Sequence, residues 1–430
     1  MPLSGTGARW SLGVRARGHA RTGAQARPHG RGSWCPAGRV RCGVARPPDR
    51  QRPRRSTPPR AGAASRRPPR PAAAGIELEI ACLPGLTDVV VRELHARLGG
   101  GSALRRDPAR VLGRPGLEDA VALRVPRPSL AAVHDLRTVV AVQRVLRYPV
   151  PRPKALLGDA LRRQLSADLA AAVEDATTVT GAGFTGLRLE AAGRDSDVMR
   201  RLAAALAEAV GLPVDAEDGD LVVRARPEAD GWALLVRTTP RPLATRAWRV
   251  CDRPGGLNAS LAAALGWLAS PPTGARVANP FVGSGTLSIE LASADRRARV
   301  AGFDLDPDAV ACARRNAAAA GVADRVRLEE GDAAAWRHED ASLDLVLADP
   351  PWGDAVGSRA GNRALYPAFL AEAARCLRPG GRLAWVTHEI ELTRDLLAGP
   401  GPWRVVHDRR VWHGGHHPWV LVLERRDRRD

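Results

Sequence analysis

Apolar residues occupy every second position of Ile76-Glu-Leu-Glu-Ile80, the pattern of a half-buried strand. Past Pro84-Gly85 the period changes. Leu86, Val89, Val90, Leu94 and Leu98 follow at helical spacing until Gly99-Gly100-Gly101 ends the run. Val121–Val125 predicts another strand, and Ser129 is the expected N-cap of a helix reaching about Leu136. Farther on, Leu156–Val173 reads as helix and Gly186–Glu190 as a short strand. Asp197–Val210 reads as an Ala-rich helix stopped by Gly211, with Pro213 behind it. Strands Leu221–Ala225 and Trp232–Arg237 are expected to pair around Pro227–Gly231. This succession predicts an α+β region over residues 75–250.

From residue 251 the pattern becomes one of short apolar strands alternating with helices. An apolar helix runs through Leu268, capped by Asn258 or Ser260 and stopped by Pro271-Pro272. Strands are expected at Arg276–Asn279, Arg299–Phe303, Val326–Leu328, Leu345–Ala348 and Arg382–Thr387, and two more at Trp403–His407 and Val420–Glu424. Continuous apolar runs such as Leu345-Val-Leu-Ala348 are what strands buried on both faces look like. The alternation predicts an α/β domain over 251–430.

Candidate chemistry falls at the carboxyl ends of these strands, the edge where open α/β sheets bind ligands. The apolar run stops at Asp349-Pro350-Pro351-Trp352, because prolines cannot continue a sheet ladder. Trp352 offers a face on which a nucleobase can stack. Asp349 and the Pro350 carbonyl can accept hydrogen bonds from an exocyclic amine. The first strand of the domain runs into Asn279-Pro-Phe281-Val-Gly283-Ser284-Gly285-Thr286, where glycines permit close approach of a ligand and the following helix start favours an anionic group. The glycine spacing lacks the third glycine of the dinucleotide fingerprint, which speaks against a nicotinamide cofactor. Asp304, ending the next strand, is placed to accept ribose hydroxyls. Asp306-Pro307 reads as a helix cap with proline in the first turn, and Asp332 follows Gly331 at the end of the next strand.

Charge changes the picture at the amino end. Net charge is +19, but residues 1–74 hold 17 Arg against Asp49 alone, and the remainder is close to neutral. The tail is rich in Arg, Pro and Gly and lacks apolar periodicity, so it is expected to be disordered. A basic nucleic-acid arm, a transit-like peptide and an extension outside the working protein are its three readings, the last favoured because Lys154 is the sole lysine and the bias looks compositional. No signal-peptide core or membrane-length run is present, which points to the cytoplasm and to no membrane partner. The six cysteines show no C-x-x-C pair and are expected to be reduced, mostly buried thiols. His413-Gly-Gly-His416-His417 lacks a nearby acidic or Cys partner, so it reads as a mobile loop on the substrate side rather than a metal site. Ser358–Asn362 is expected to form a mobile cover over the target base.

Several of these stretches resemble one family. Asp349-Pro-Pro-Trp352 is similar to the (Asp/Asn)-Pro-Pro-aromatic motif of S-adenosylmethionine-dependent methyltransferases acting on amino nitrogens. Asn279-Pro-Phe-Val-Gly-Ser-Gly-Thr286 resembles their glycine motif, with Asn279 in place of the usual acidic residue, and Arg314-Arg-Asn316 is also family-like. Leu83–Leu94 is similar to the opening of the ferredoxin-like domain that precedes THUMP domains in RNA methyltransferases. Leu243-Ala-Thr-Arg-Ala-Trp-Arg249 resembles the ending of THUMP domains. The resemblance implies a Rossmann-like class I methyltransferase domain with a seven-stranded sheet ending in an antiparallel pair, over 251–430, preceded by a ferredoxin-like and THUMP region over 75–250. It implies S-adenosylmethionine as cofactor, held by Asn279, Phe281, Gly283, Ser284, Gly285, Thr286, Asp304, Asp332 and Asp349, with no metal. Catalysis would fall to Asp349, Pro350, Pro351 and Trp352, transferring methyl to an exocyclic base amine in RNA: guanine N2 in tRNA, or rRNA as another substrate. The alternatives are a DNA adenine-N6 methyltransferase and a non-catalytic RNA-binding protein with a decayed enzyme domain.

Overall fold

Two seven-stranded sheets carry the fold in the computed structural model, which describes residues 75–99, 109–114, 117–352 and 358–427. The arginine-rich tail and Gly353 lie outside the described residues. Those that are described fall within one compact unit, and among them no helix is long and apolar enough to cross a membrane.

The first sheet is built from β1 (Ile76–Ala81), β2 (Arg110–Arg114), β3 (Leu117–Val125), β4 (Ala141–Tyr148), β5 (Leu187–Ala191), β6 (Leu221–Glu228) and β7 (Gly231–Arg237), in the order β2-β3-β1-β4-β7-β6-β5. Helices α1 (Thr87–Leu98) and α2 (Leu130–His134) cover one part, and α3 (Asp159–Thr180) and α4 (Asp197–Val210) the other. Strand β4 joins the two parts by pairing with β1 on one side and β7 on the other, and the apolar pattern did not mark it. Its Arg144 and Arg147 interrupt the run, and they are accommodated by tertiary partners: Arg144 pairs with Asp175 at 2.6 Å and Arg147 with Glu77 at 2.7 Å.

Ser129 does not cap α2. A 3₁₀ turn at Arg127–Ser129 starts the helical path earlier, on the φ that Pro128 presets, and Ser129 is itself helical with no side-chain bond to the helix. The helix expected over Leu156–Val173 is instead a 3₁₀ turn, Pro153–Leu157, followed after Gly158 by the longer α3. Helix α4 has the expected bounds, with Ser196 capping it at the Met199 N–H and Gly211 closing it in the left-handed conformation at φ +68.

The second sheet holds β8 (Arg276–Asn279), β9 (Arg299–Asp304), β10 (Val326–Glu330), β11 (Leu343–Ala348), β12 (Leu377–Thr387), β13 (Trp403–Arg410) and β14 (Trp419–Arg425), in the order β10-β9-β8-β11-β12-β14-β13. All neighbours are parallel except β14, which runs antiparallel to β12 and β13. Its helices are α5 (Ala259–Ala269), α6 (Thr286–Ala294), α7 (Pro307–Ala319), α8 (Arg359–Cys376) and α9 (Ile390–Leu397). Successive residues of β11 enter opposite cores: Leu345 and Leu347 pack with α5, Val346 and Ala348 with Phe369 and Trp385. That is why the strand is apolar from Leu345 to Ala348. Helix α8 runs through Pro367, because Tyr366, Phe369, Leu370 and Ala373 are all buried against the sheet.

The two halves share a core. Leu83, Leu86 and Val89 pack with Leu261, Leu265 and Leu268 of α5. Beside them Glu290 of α6, fully buried, accepts from Arg137 Nε at 2.7 Å and Arg246 Nε at 2.8 Å.

Candidate active site

The strand order turns back between β8 and β11, since β9 and β10 lie on one side of β8 and β12 on the other side of β11. A crevice at such a point is open to a ligand at the carboxyl ends of the strands. There a cavity of about 500 Å³ is found. From the glycine loop it is lined by Phe281, Gly283, Ser284 and Thr286. The neighbouring strand ends add Asp304, and β11 adds Asp349, Pro350, Pro351 and Trp352.

Gly283 adopts φ +51, and a Cβ built on it would meet no protein atom within 4 Å. The space above it is open to the cavity and leaves room for close approach to the backbone. Its N–H is fixed by Asp304 Oδ2 at 2.9 Å, while Asp304 Oδ1 accepts from the Asp306 N–H at 3.1 Å. Asp304 thus shapes the loop as well as lining the cavity. Asp306 caps α7 through the Asp308 N–H at 2.8 Å and pairs with Arg253.

Three expected cofactor residues do not line the cavity. Asn279 is fully buried beneath the loop, donating to Ser288 Oγ at 3.0 Å and accepting from the Phe281 N–H at 3.3 Å. Gly285 is needed for packing: at φ +88, an added Cβ would press on Ile289 and Ala313 at 3.1–3.2 Å. Asp332 is exposed and accepts from the Ala334 N–H at 2.8 Å, and Ala333 lines the cavity in its place.

At the end of β11, Asp349 Oδ1 is shut off from solvent without a hydrogen-bond partner. Burial pushes its carboxyl up to about 7, and the adjacent Trp352 indole N–H offsets part of that rise. The indole nitrogen is likewise buried and outside hydrogen-bond geometry. An unpaired buried acceptor and donor side by side suit a substrate that supplies the missing partners.

The Pro-Pro turn is held from behind. The Pro351 carbonyl accepts from Asn362 Nδ2 at 2.9 Å and Tyr366 Oη at 3.0 Å, and Asn362 also reaches Glu389 at 3.2 Å. His388 stacks on Trp352 with ring centroids 4.1 Å apart. Ser358–Asn362 is consequently no mobile cover. Ser358 caps α8 through the Gly361 N–H, and Asn362 is buried under the turn because it satisfies the Pro351 carbonyl.

One wall went unmarked in the sequence. Arg253, Pro254, Gly255, Gly256 and Leu257 form a strap across the cavity. Asn316 anchors it, accepting from the Val250 and Cys251 N–H groups at 2.9 Å and donating to the Cys251 carbonyl at 2.8 Å and the Ser284 carbonyl at 2.9 Å. Arg249 ties the strap to the loop, donating to Thr286 Oγ1 at 2.8 Å and the Leu257 carbonyl at 2.7 Å. The expectation of reduced thiols fails here: Cys251 and Cys312 form a disulfide, their Cα atoms 5.5 Å apart across a separation of 61 residues. Spacing along the chain cannot reveal such a pair, because only the packing of the strap on α7 brings it together. Cys82 and Cys376 are free and buried.

A parallel sheet ending in an antiparallel β12-β14-β13 unit, a glycine loop facing an acidic strand end, and a carboxylate-proline-proline-indole turn in the same cavity define a Rossmann-like methyltransferase. Residues 246–418 match the model of the RMKL-like methyltransferase domain. The tRNA (guanine(6)-N2)-methyltransferase of Thermus thermophilus is 37% identical over 230 residues, covering 53% of this chain and 68% of that protein. The enzyme of the same name from Archaeoglobus fulgidus is 27% identical over 203 residues, covering 41% of this chain and 51% of its own length. The crystal structure of TrmN from Thermus thermophilus superposes with a TM-score of 0.64 at 30% identity, over 81% of this chain and 99% of that one. The chain carries an RMKL-like methyltransferase domain and belongs to the family of the Thermus thermophilus tRNA (guanine(6)-N2)-methyltransferase.

Proposed function

We propose that the protein transfers a methyl group from S-adenosylmethionine to N2 of a guanine in tRNA. The observation that carries this reading is the meeting of two devices in one cavity: the open space over Gly283 beside Asp304, and the Asp349–Trp352 turn. The first fits a nucleoside-bearing cofactor, with Asp304 toward the ribose and Gly283, Ser284 and Thr286 close to its backbone-hugging part. The cofactor would supply an electrophilic methyl on a sulfonium, whose carbon–sulfur bond breaks on transfer and leaves a neutral thioether. Trp352 stacks the target base outside its helix. Asp349 and the Pro350 carbonyl hold the amine by its hydrogens, which aims the nitrogen lone pair at the methyl. As the nitrogen–carbon bond forms, the surplus amine proton leaves toward Asp349, whose raised affinity for protons suits it to accept. Residues 75–250 deliver the RNA in this reading as a ferredoxin-like and THUMP region, 251–430 perform the chemistry, and the enzyme works in the cytoplasm.

The names of the relatives support tRNA and guanine N2 as the target. The test is labelled-methyl transfer to unmodified bulk tRNA, rRNA and DNA, followed by nucleoside mass analysis. N2-methylguanosine from tRNA is the expected product. N6-methyladenine from DNA would replace this reading with the DNA alternative, and absence of cofactor binding would leave the non-catalytic one.

A further inference from the structure

A second cavity of about 330 Å³ adjoins the first and shares with it Arg253, Leu257 and Trp352. His413 and His416 form one wall, and Asn258 and Leu261 of the α5 start form another. The hairpin bearing the histidines is tightly closed rather than mobile. The His413 N–H donates to the His416 carbonyl at 2.9 Å and the His416 N–H to the His413 carbonyl at 2.8 Å. Gly414 and Gly415 between them take φ +55 and +83, the two-residue hairpin turn that glycine adopts without strain. The His416 ring lies 6.5 Å from Trp352 and 5.7 Å from His388, so the turn extends the aromatic wall of the active site.

A base stacked against Trp352 within reach of Asp349 must leave the first cavity at its glycosidic end. The recess beside Trp352 offers donors for what is attached there. Asn258 uses Oδ1 to cap α5 through the Ser260 and Leu261 N–H groups, which leaves its amide nitrogen to donate. Arg253, which also pairs with Asp306, and the imidazoles of His413 and His416 add further donors, and Asp252, the sole carboxylate of the lining, has Arg249 at 3.6 Å.

We propose that this second cavity is a subsite for the ribose and 5′-phosphate of the methylated nucleotide, with His413 and His416 as positioning residues. Burial and the neighbouring His416 hold His413 below the ordinary imidazole value. That favours the uncharged ring, able to donate to or accept from a ribose hydroxyl. His416 and Arg253 then face the phosphate. The subsite rests on the reading of the adjoining cavity as a base-methylating centre.

The full-length protein, saturated with sinefungin, is titrated by calorimetry with guanosine and with guanosine 5′-monophosphate. The monophosphate is expected to bind about ten-fold more tightly, the worth of one charge-assisted hydrogen bond. A His413→Asn/His416→Asn variant is expected to lose that preference and to bind guanosine less tightly through the lost ribose contact, while keeping its affinity for sinefungin, which also reports that it is folded. No preference in the parent, or a preference that survives in the variant, overturns the subsite. A preference that depends on the histidines in a protein that methylates no RNA would uphold the subsite and sink the proposed activity. Unchanged kcat/KM for tRNA methylation in the double variant would do the reverse.

Discussion

Asp349 concentrates the chemistry in one titratable group. Its carboxyl is raised from the ordinary value to about 7 by burial, so the parent protein must hold an ionised, poorly solvated carboxylate above that pH. Because the folded value exceeds the unfolded one, the stability this group contributes is present at low pH and lost as pH rises toward about 7. Asp349→Asn is therefore expected to match the parent near pH 4 and to become progressively more stable than it up to pH 7, by at most roughly 4 kcal/mol. Thermal unfolding across that range checks it, and a pH-independent difference would remove burial as the cause. Activity should run the other way, the parent's kcat/KM climbing to a plateau as the carboxyl ionises while Asp349→Asn and Asp349→Ala stay low, Ala lowest. At Trp352 the stacking face is the issue. With base stacking worth ~1–3 kcal/mol, Trp352→Phe should retain more methylation than Trp352→Ala, both binding S-adenosylmethionine almost as the parent does. Loss of cofactor binding in Trp352→Ala would instead make the indole a packing residue for the cavity wall.

At the scale of elements, the glycine loop and the strap make two separable predictions. Gly283 has φ +51 and faces open space, so Gly283→Val should fold with a penalty of about 1–2 kcal/mol for the left-handed backbone while its side chain fills the cofactor space. S-adenosylmethionine binding should vanish in equilibrium dialysis. Asp304→Ala should also weaken it severely, because the Gly283 N–H loses its acceptor together with the ribose. Asp306→Ala should cost about 1 kcal/mol of stability for the lost cap and much less binding. The reverse ranking would move the ribose ligand to Asp306. The strap is held by the Cys251–Cys312 disulfide. Cys251→Ser or a reductant is expected to remove about 2–4 kcal/mol, the typical worth of a disulfide, which a shared fall in melting temperature would display. Identical melting curves with and without reductant would show that Asn316 anchors the strap unaided.

Over the whole molecule, the decisive contact is between Glu290 and two arginines of residues 75–250, Arg137 and Arg246, that reach it from the other half of the chain. Glu290 has no solvent exposure, and Arg137 and Arg246 each donate to it. Glu290→Ala would leave two guanidinium groups facing one another without a counter-charge, at a cost of about 3–5 kcal/mol. Since Glu290 lies one turn along α6 from Thr286, which lines the cofactor cavity, the change should also loosen cofactor binding. Calorimetric unfolding and cofactor titration of the same variant test both, and a variant with unaltered melting would show that the shared apolar core holds the halves together alone.

Most elements and the cofactor loop were legible in the sequence because local rules determined them. Strand β11 announces itself by a run buried on both faces, Asp306-Pro307 by cap chemistry, and the Asp349–Trp352 turn by prolines that end a ladder. Nine of the expected site residues line the cavity for that reason. What the sequence could not determine depends on partners far away in the chain. Strand β4 is recognisable only once Asp175 and Glu77 receive its arginines. Asn279 and Asp332 have the residue types of ligands, yet burial under the loop and outward exposure, respectively, keep them from the cavity. The strap, the disulfide and the His388 platform behind Trp352 arise from packing across tens of residues. Local spacing encodes the helix, strand and turn that present a side chain; which side chains then meet, and which remain unpaired and ready for a substrate, is decided only when the sheet brings its strand ends together.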